Sequence, residues 1–142
     1  MTPIKLIIPG EVIPQLRPRF RRRGNYVQTY DPAKCRDYKD YIRRLASECY
    51  KDKPLDGAVE VKILIHRHTP KSFGKTKMAM ALAGALRPTT KPDIENLSKG
   101  ILDALNGIVW RDDAQIVRLE VEKWYSDQPR AEVLVCELRE EN

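Results

Sequence analysis

Apolar side chains follow two different periods along the 142-residue chain, and each period predicts one type of element. Short runs that are apolar throughout, or that alternate apolar with charged side chains, indicate strands. These runs cover residues 4–8, 59–65, 117–121 and 131–138. Pro9-Gly10 ends the first of them. The turn sequence SDQPR separates the last two runs, so we expect residues 131–138 to pair with the preceding strand as a hairpin.

Apolar side chains three and four residues apart predict helices elsewhere. Three helices are expected, at about 33–50, 75–86 and 93–106. Asp31-Pro32 marks the start of the first helix, because aspartate is a good capping residue and proline is favoured in the first turn. Asn106-Gly107 ends the third helix. The buried side of the first helix should carry Tyr38, Tyr41, Ile42, Leu45 and Cys49.

An arginine-rich segment lies between the first strand and the first helix. Pro14 and Pro18 keep this segment, about residues 11–32, out of a helix, so we expect a long loop or an irregular ribbon. Five arginines lie close together in it, at Arg17, Arg19, Arg21, Arg22 and Arg23. Phe20 and Tyr26 beside them could stack on unpaired bases or pack into the core.

The succession of strands and helices predicts an α/β fold of the α+β type, with helices packed on a mixed β-sheet. The composition agrees, because 42% hydrophobic and 32% charged residues are typical of a globular protein. No internal repeat and no linker divides the chain, so we expect one domain over residues 1–142.

The charge balance favours a polyanionic partner. The chain has 26 Lys+Arg against 20 Asp+Glu, a net charge of +6, which points to nucleic acid before an acidic membrane. No apolar run approaches the roughly 18 residues of a membrane span. Three widely spaced cysteines without a CxxC motif indicate a reduced, cytoplasmic protein. His66 and His68 lack a third ligand nearby, which favours surface residues over a metal site.

Acidic residues are nevertheless concentrated in KPDIENLSKGILDALNGIVWRDDAQI, residues 91–116. Helical spacing places Glu95, Lys99 and Asp103 in one stripe. Asp93 stands at the N-cap, where its oxygens can accept backbone N–H bonds. The opposite side of the helix should face the core through Ile94, Leu97, Ile101 and Leu105.

The chain after this helix is long enough to return to its start. Six extended residues cover about 20 Å, which is the length of the helix, so the pair Asp112-Asp113 can lie beside its first turn. Together with Asp93 and Glu95 they would make four clustered carboxylates, a ligand set that suits Mg²⁺ or Mn²⁺. Such an ion can activate a water against a phosphodiester, with Lys99 stabilising the developing charge.

Separate structural roles explain the same residues one by one. The stripe from Glu95 to Asp103 can be a solvated salt-bridge ladder worth about 0.3–0.5 kcal/mol per pair. Asp93 can be only an N-cap, and Asp112-Asp113 only a turn. The metal pocket is favoured as a combination, because it explains why a basic protein gathers acids. DNA contacts would then come from the five arginines and from Lys71, Lys75 and Lys77.

The acidic segment resembles the signature of the RusA family of Holliday junction resolvases, which occur in bacteria and their prophages. The matching elements are Lys91-Pro92-Asp93, Glu95-Asn96, Lys99, Asp103-Ala104-Leu105, Trp110, Asp112-Asp113 and Gln115. Gly10, Pro14 and Arg17-Pro18-Arg19 resemble the opening of the family, so the likeness spans most of the chain.

This resemblance implies a RusA-like endonuclease domain that forms a homodimer and cuts four-way junction DNA by paired symmetric nicks, with Mg²⁺ or Mn²⁺. It also implies that Asp93, the acid at 95 and Asp113 are essential carboxylates, with Asp112 alongside. Lys99 matches the catalytic lysine of the family. Family members usually carry Asp where this chain has Glu95, and the additional methylene group alters metal geometry. Asp103 could bind metal, orient Lys99 or only pair with it.

Three other functions fit part of the pattern. A non-cleaving protein that binds branched or duplex DNA explains the arginines, and Glu95 could then mark a degenerate site. Pro92-Asp93 suggests a metal-dependent nuclease of the PD-(D/E)xK type, but Val121 stands where an acid should precede Lys123 by two residues. A structural RNA-binding protein of the ribosomal kind explains the charge but not the acids.

Overall fold

The computed structural model describes residues 3–17 and 19–139, with the backbone but not the side chain of Arg19. The strands within these ranges are β1 (Ile4–Pro9), β2 (Arg19–Arg23), β3 (Tyr26–Tyr30), β4 (Val59–His68), β5 (Ile116–Ser126) and β6 (Arg130–Glu137). The helices are α1 (Ala33–Cys49), α2 (Lys75–Leu82) and α3 (Ile94–Leu105). A short 3₁₀ turn, Asp113–Gln115, precedes β5. This content confirms the mixed α+β class, and every predicted strand and helix is present.

Four strands form a mixed sheet in the order β1-β6-β4-β5. Strand β6 runs antiparallel to both β1 and β4, whereas β4 and β5 are parallel. The predicted hairpin between residues 117–121 and 131–138 is therefore wrong, because β4 lies between β5 and β6. The strands with the most regular alternation of buried and less buried residues lie in the centre of the sheet. Strands β4 and β6 bury every second residue and take the centre, and β5 with its exposed Val117 and Leu119 takes the edge.

One face of the sheet packs against α1 and α3, and the hydrophobic core lies between them. Helix α3 contributes Leu97, Ile101 and Leu105 to this core, as the sequence predicts. Ile94 was expected there too but is 39% exposed. It is the first residue of α3, and a helical Cβ points back towards the N-terminus, so its side chain extends beyond the packed part of the helix.

Helix α1 begins in a different way from the one predicted. Its N-cap residue is Pro32, and no side chain caps the helix. The carboxylate of Asp31 instead accepts a hydrogen bond from Lys39 Nζ at 2.5 Å. Cys49, expected to be buried, is exposed because the core contacts of α1 end one turn earlier, at Ala46.

Residues 19–30 form a regular antiparallel hairpin of β2 and β3, where the sequence predicted a loop or an irregular ribbon. We call this hairpin the arginine arm. Gly24 makes its turn possible with a φ of +58°, a conformation that side chains with a Cβ rarely adopt. Side chains from Phe20 to Thr29 are exposed, so Phe20 and Tyr26 do not belong to the core. No helix in the described parts of the chain is long and apolar enough to cross a membrane.

Candidate active site

Two exposed carboxylates stand at the N-terminal end of α3. Asp93 occupies the N-cap position and Glu95 lies in the first turn. The predicted position of Asp93 is confirmed, but its side chain makes no capping hydrogen bond. Its oxygens are therefore not committed to the helix, and they are available to an outside ligand, as are those of Glu95.

Lys123 holds the segment that leads into Asp93. From β5, its ammonium group donates to the carbonyl oxygens of Thr90 at 2.9 Å and Pro92 at 3.0 Å. Burial lowers the pKa of Lys123, Arg67 lowers it further, and Asp93 acts in the opposite direction. Sequence reasoning had no role for this lysine. The signal was its place on the same face of β5 as Val121, a face that points towards the helices.

A second pair of acids, Asp112-Asp113, lies beyond the C-terminal end of α3. The indole N–H of the fully buried Trp110 donates to Asp113 Oδ1 at 2.7 Å. Gln115 fixes the same turn, because its side-chain oxygen accepts the Asp112 N–H at 2.8 Å. The Gln115 amide group also donates to the carbonyls of Leu55 and Gly57 at 2.7 and 2.9 Å. This turn is thus anchored to the loop before β4.

The chain does not run back beside α3, so the predicted return path is wrong. A tight turn follows the helix, closed by hydrogen bonds from Gly107 N to Trp110 O at 2.7 Å and from Val109 N to Leu105 O at 3.1 Å. The extended path would have exposed Val109 and Trp110, whereas the turn buries both of them. Chain length permitted the longer path, but the apolar side chains determine the shorter one.

The two acid pairs therefore lie near opposite ends of α3. Its 12 residues correspond to about 18 Å at a rise of about 1.5 Å per residue. Asp93 and Glu95 lie at one end, Asp112 and Asp113 at the other. Among the described residues, no group of three or more His, Cys, Asp or Glu side chains is arranged to hold a metal ion. One copy of the chain does not form the predicted four-carboxylate cluster.

Lys99 and Asp103 line a polar cavity of about 240 Å³ between α3 and the base of the arginine arm. Its other lining residues are Gln15, Leu16, Arg17, Asp31, Lys39 and Asn96. The base of the arm is fixed to α3 by a 2.8 Å hydrogen bond from Gln15 N to Asn96 O. None of the ion pairs within 4 Å in the described ranges involves the stripe from Glu95 to Asp103. The alternative of a salt-bridge ladder is therefore not supported.

Exposed basic side chains belong to segments that lie next to α3 or follow the end of β4. Arg17 and the arm residues Arg21, Arg22 and Arg23 are exposed, and the side chain of Arg19 lies outside the described part of the chain. The exposed Lys71, Lys75 and Lys77 follow the end of β4, at the same end of the sheet as Lys123. Lys77 Nζ lies 4.9 Å from the ring centroid of Phe73, which packs edge-on against Tyr125 of β5.

The chain is similar to known proteins over most of its length. The family model described as "Endodeoxyribonuclease RusA" matches residues 9–136. The chain is also 42% identical over 137 residues to a Bacillus subtilis (strain 168) protein described as "Uncharacterized protein YqaN". That alignment covers 95% of this chain and 96% of the relative. The match to the family model includes the arginine arm, the N-terminal end of α3 and the Asp112-Asp113 turn.

Proposed function

This chain belongs to the RusA family of endodeoxyribonucleases, and we propose that it resolves four-way DNA junctions by paired, symmetric nicks that depend on Mg²⁺. One observation carries this proposal. The uncommitted carboxylates of Asp93 and Glu95 lie on a helix whose neighbouring segments carry exposed basic side chains: Arg17 lines a cavity with Lys99, and Lys71, Lys75 and Lys77 follow the end of β4. A polyanionic backbone attracted by those bases would be brought to carboxylates that can hold a divalent cation.

The carboxylates at this end suit Mg²⁺ by their chemistry. Magnesium is commonly held by one or two carboxylates, with waters and substrate phosphates completing an octahedron. Asp93 and Glu95 would supply such a pair, and Mn²⁺ accepts the same oxygen ligands. When bound, the ion would supply Lewis-acid stabilisation and a water of lowered pKa. The longer side chain of Glu95, where the family usually has Asp, keeps the same donor atoms.

The remaining side chains of the site have roles in binding and charge stabilisation. Lys99 has no ion-pair partner among the described residues, so its ammonium group is available for the charge that develops on the scissile phosphate. The arginine arm would bind the DNA backbone, together with Lys71, Lys75 and Lys77. The hydrogen bond from Gln15 N to Asn96 O would keep the arm in a fixed position relative to α3.

A homodimer explains why the two acid pairs lie at opposite ends of α3. Strand β5 is at the edge of the described sheet, and Val117 and Leu119 on it are 61% and 43% exposed. A twofold axis near Leu119 would place β5 of a second copy antiparallel to β5 of the first. Because Leu119 lies midway between Asp113 and Tyr125 in sequence, Asp113 of the second copy would then lie at the Lys123 end of the first. Each active site would then contain Asp93 and Glu95 from one copy and Asp112 and Asp113 from the other.

The test is cleavage of a labelled synthetic four-way junction in Mg²⁺, with linear duplex of the same sequence and the Asp113→Asn variant alongside. We expect paired symmetric nicks in the junction alone, which disappear in the variant and on chelation of the metal. Junction binding without nicks in either Mg²⁺ or Mn²⁺ would contradict the proposal.

A branched-DNA-binding protein with a degenerate metal site is the alternative. Glu95 in place of the usual Asp favours it, since metal geometry is sensitive to the position of a carboxylate. This alternative predicts that Asp93→Asn has almost no effect on junction binding and that no cleavage is present to be lost, whereas an enzyme loses cleavage and keeps binding.

A further inference from the structure

The segment before α3 is held to β5 at two points by side chains that sequence reasoning left without a role. Lys123 Nζ donates to the carbonyl oxygens of Thr90 and Pro92. In the opposite direction, from the segment to the strand, Arg87 Nε donates to the carbonyl oxygen of Lys123 at 2.6 Å. The strand and residues 87–92 are thus joined by three hydrogen bonds, directly before Asp93.

We propose that Lys123 is the positioning residue of the acidic end: its ammonium group fixes the carbonyls of Thr90 and Pro92, and thereby the place of Asp93 relative to β5. This inference rests on the proposed metal-dependent cleavage, in which Asp93 is a ligand. Lys123 itself acts through the backbone of its neighbours and is not proposed to bind metal.

The free energy lost when the Lys123 ammonium group is partly removed from water supports a specific role for this residue. Lys123 is partly buried, and no acidic side chain lies within ion-pair distance of it among the described residues. Removing a charged group from water is unfavourable unless hydrogen bonds compensate for the lost hydration. The two backbone carbonyls provide this compensation, and a bond from a charged donor is about twice as strong as a neutral one.

The surroundings of Lys123 restrict its movement. Arg87, which binds the Lys123 carbonyl, places its guanidinium carbon 3.4 Å from the ring centroid of Trp124, the next residue of β5. Lys123 also pairs with Ile65 of β4, whose side chain is fully buried. An anchor on the rigid sheet is therefore connected to a segment that has no strand or helix of its own, and α3 begins where this segment ends.

The consequence concerns metal affinity more than folding. Without the two carbonyl contacts, residues 90–92 would lose their fixed distance from β5, and Asp93 would reach its ligand position in only part of the population. Loss of an outer contact that orients a metal ligand typically costs about 10–100-fold in metal affinity or activity. The core of the protein does not depend on these contacts, so its stability should change little.

The test compares three variants of the full chain. Lys123→Met keeps the aliphatic part and removes the donors, whereas Lys123→Arg keeps donors that can reach two carbonyls. Lys62→Met is the control: it removes a partly exposed lysine from neighbouring β4, where its ion-pair partners are Glu120 and Glu122 at 3.8 and 3.6 Å. Mn²⁺ binding to the free protein is measured by electron paramagnetic resonance, and the Mg²⁺ dependence of junction cleavage is measured in parallel.

We expect Lys123→Met to weaken Mn²⁺ binding by about tenfold or more and to raise the half-maximal Mg²⁺ concentration equally. Lys123→Arg should recover most of this loss, and Lys62→Met should match the wild type. Unchanged Mn²⁺ and Mg²⁺ dependence in Lys123→Met would overturn the inference while leaving cleavage by the wild type, and so the proposed function, intact. If Lys123→Met does not fold, Lys123→Arg still decides, because wild-type metal affinity supports the inference and a tenfold loss in a folded protein contradicts it.

Discussion

Trp110 Nε1 lies 2.7 Å from Asp113 Oδ1, and the indole that donates this hydrogen bond is fully buried. One side chain thus has two roles. Its ring closes the core beyond the C-terminal end of α3, and its single N–H group fixes an acid that is only half-buried. The orientation of Asp113 is therefore determined by the hydrophobic core and not by its neighbours on the surface.

Trp110→Phe should separate these two roles. We expect a loss of about 1–2 kcal/mol in the free energy of unfolding, from the smaller ring and the missing hydrogen bond. The cleavage rate of the folded variant should also fall, by about 10–100-fold, because a contact that orients Asp113 is lost. Urea unfolding and junction cleavage under native conditions measure the two effects.

The control for this variant is Val135→Ala on β6, which removes buried volume but no hydrogen-bond donor to Asp113. It should cost a similar amount of stability and leave cleavage within about twofold of the wild type. Equal loss of cleavage in the two variants would mean that Trp110 acts through stability alone.

Mixing two inactive variants tests the two-chain site. Asp93→Asn and Asp113→Asn should each abolish cleavage as homodimers. In a mixed dimer, one site would contain both substitutions and the other would contain neither, so nicking of a single strand should return. Co-refolded protein and a strand-specific label measure this, and each variant alone is the control. No recovery in a verified mixed dimer would show that both acids act within one copy.

The acidic segment, residues 91–116, shows how much of the site could be predicted from the sequence. The periodicity of Leu97, Ile101 and Leu105 fixed the face of α3 and hence the exposure of Glu95 and Lys99. It did not fix the path after α3, because chain length alone permits both an extended strand and a tight turn. Burial of Val109 and Trp110 decides between these paths, and that depends on contacts with residues distant in sequence.

The strand order and Lys123 show the same limit. The alternation of apolar and polar residues identified β5 and β6 correctly. A pattern that repeats every two residues contains no information about which strands are neighbours. The partner of Lys123 is a pair of backbone carbonyls, which have no sequence signature. Hydrogen bonds from side chain to backbone become visible only when the fold has been determined.

The arginine arm should contribute binding and not the chemical step. We expect replacement of Arg21, Arg22 and Arg23 by alanine to weaken junction binding and to reduce the slope of log K against log salt by about 2–3, since each lost phosphate contact removes about 0.9. The cleavage rate at saturating DNA should be nearly unchanged. Filter binding over a salt series and single-turnover cleavage measure these quantities.

A matched control removes the same charge from α1, where Arg36, Arg43 and Arg44 are exposed. This triple alanine variant should keep the salt slope of the wild type. Identical slopes in the two triple variants would mean that the arm acts only through net charge.

Tyr38 is buried, and its hydroxyl oxygen has no hydrogen-bond partner among the described residues. Tyr38→Phe should therefore increase the free energy of unfolding at pH 7 by about 1 kcal/mol, because an unpaired buried polar group is removed. Tyr41→Phe is the control. The Tyr41 hydroxyl donates to the Pro9 carbonyl at 3.1 Å, and its loss should cost about 0.5–1.5 kcal/mol.

The same residue should determine part of the response to alkali. Burial raises the pKa of Tyr38, Tyr41 and Glu11 raise it further, and Arg67 opposes them. Below the unfolded pKa of about 10, both states keep the proton and this residue adds no pH dependence. Above it, the unfolded chain releases the proton while the folded chain retains it, so stability falls by up to about 1.4 kcal/mol per pH unit. Urea unfolding from about pH 9 to about pH 11 covers one unit on either side of that value. Over this range the free energy of unfolding should decline less steeply for Tyr38→Phe than for the wild type. Parallel curves for the two proteins would mean that the hydroxyl ionises equally in both states, in contradiction to its burial.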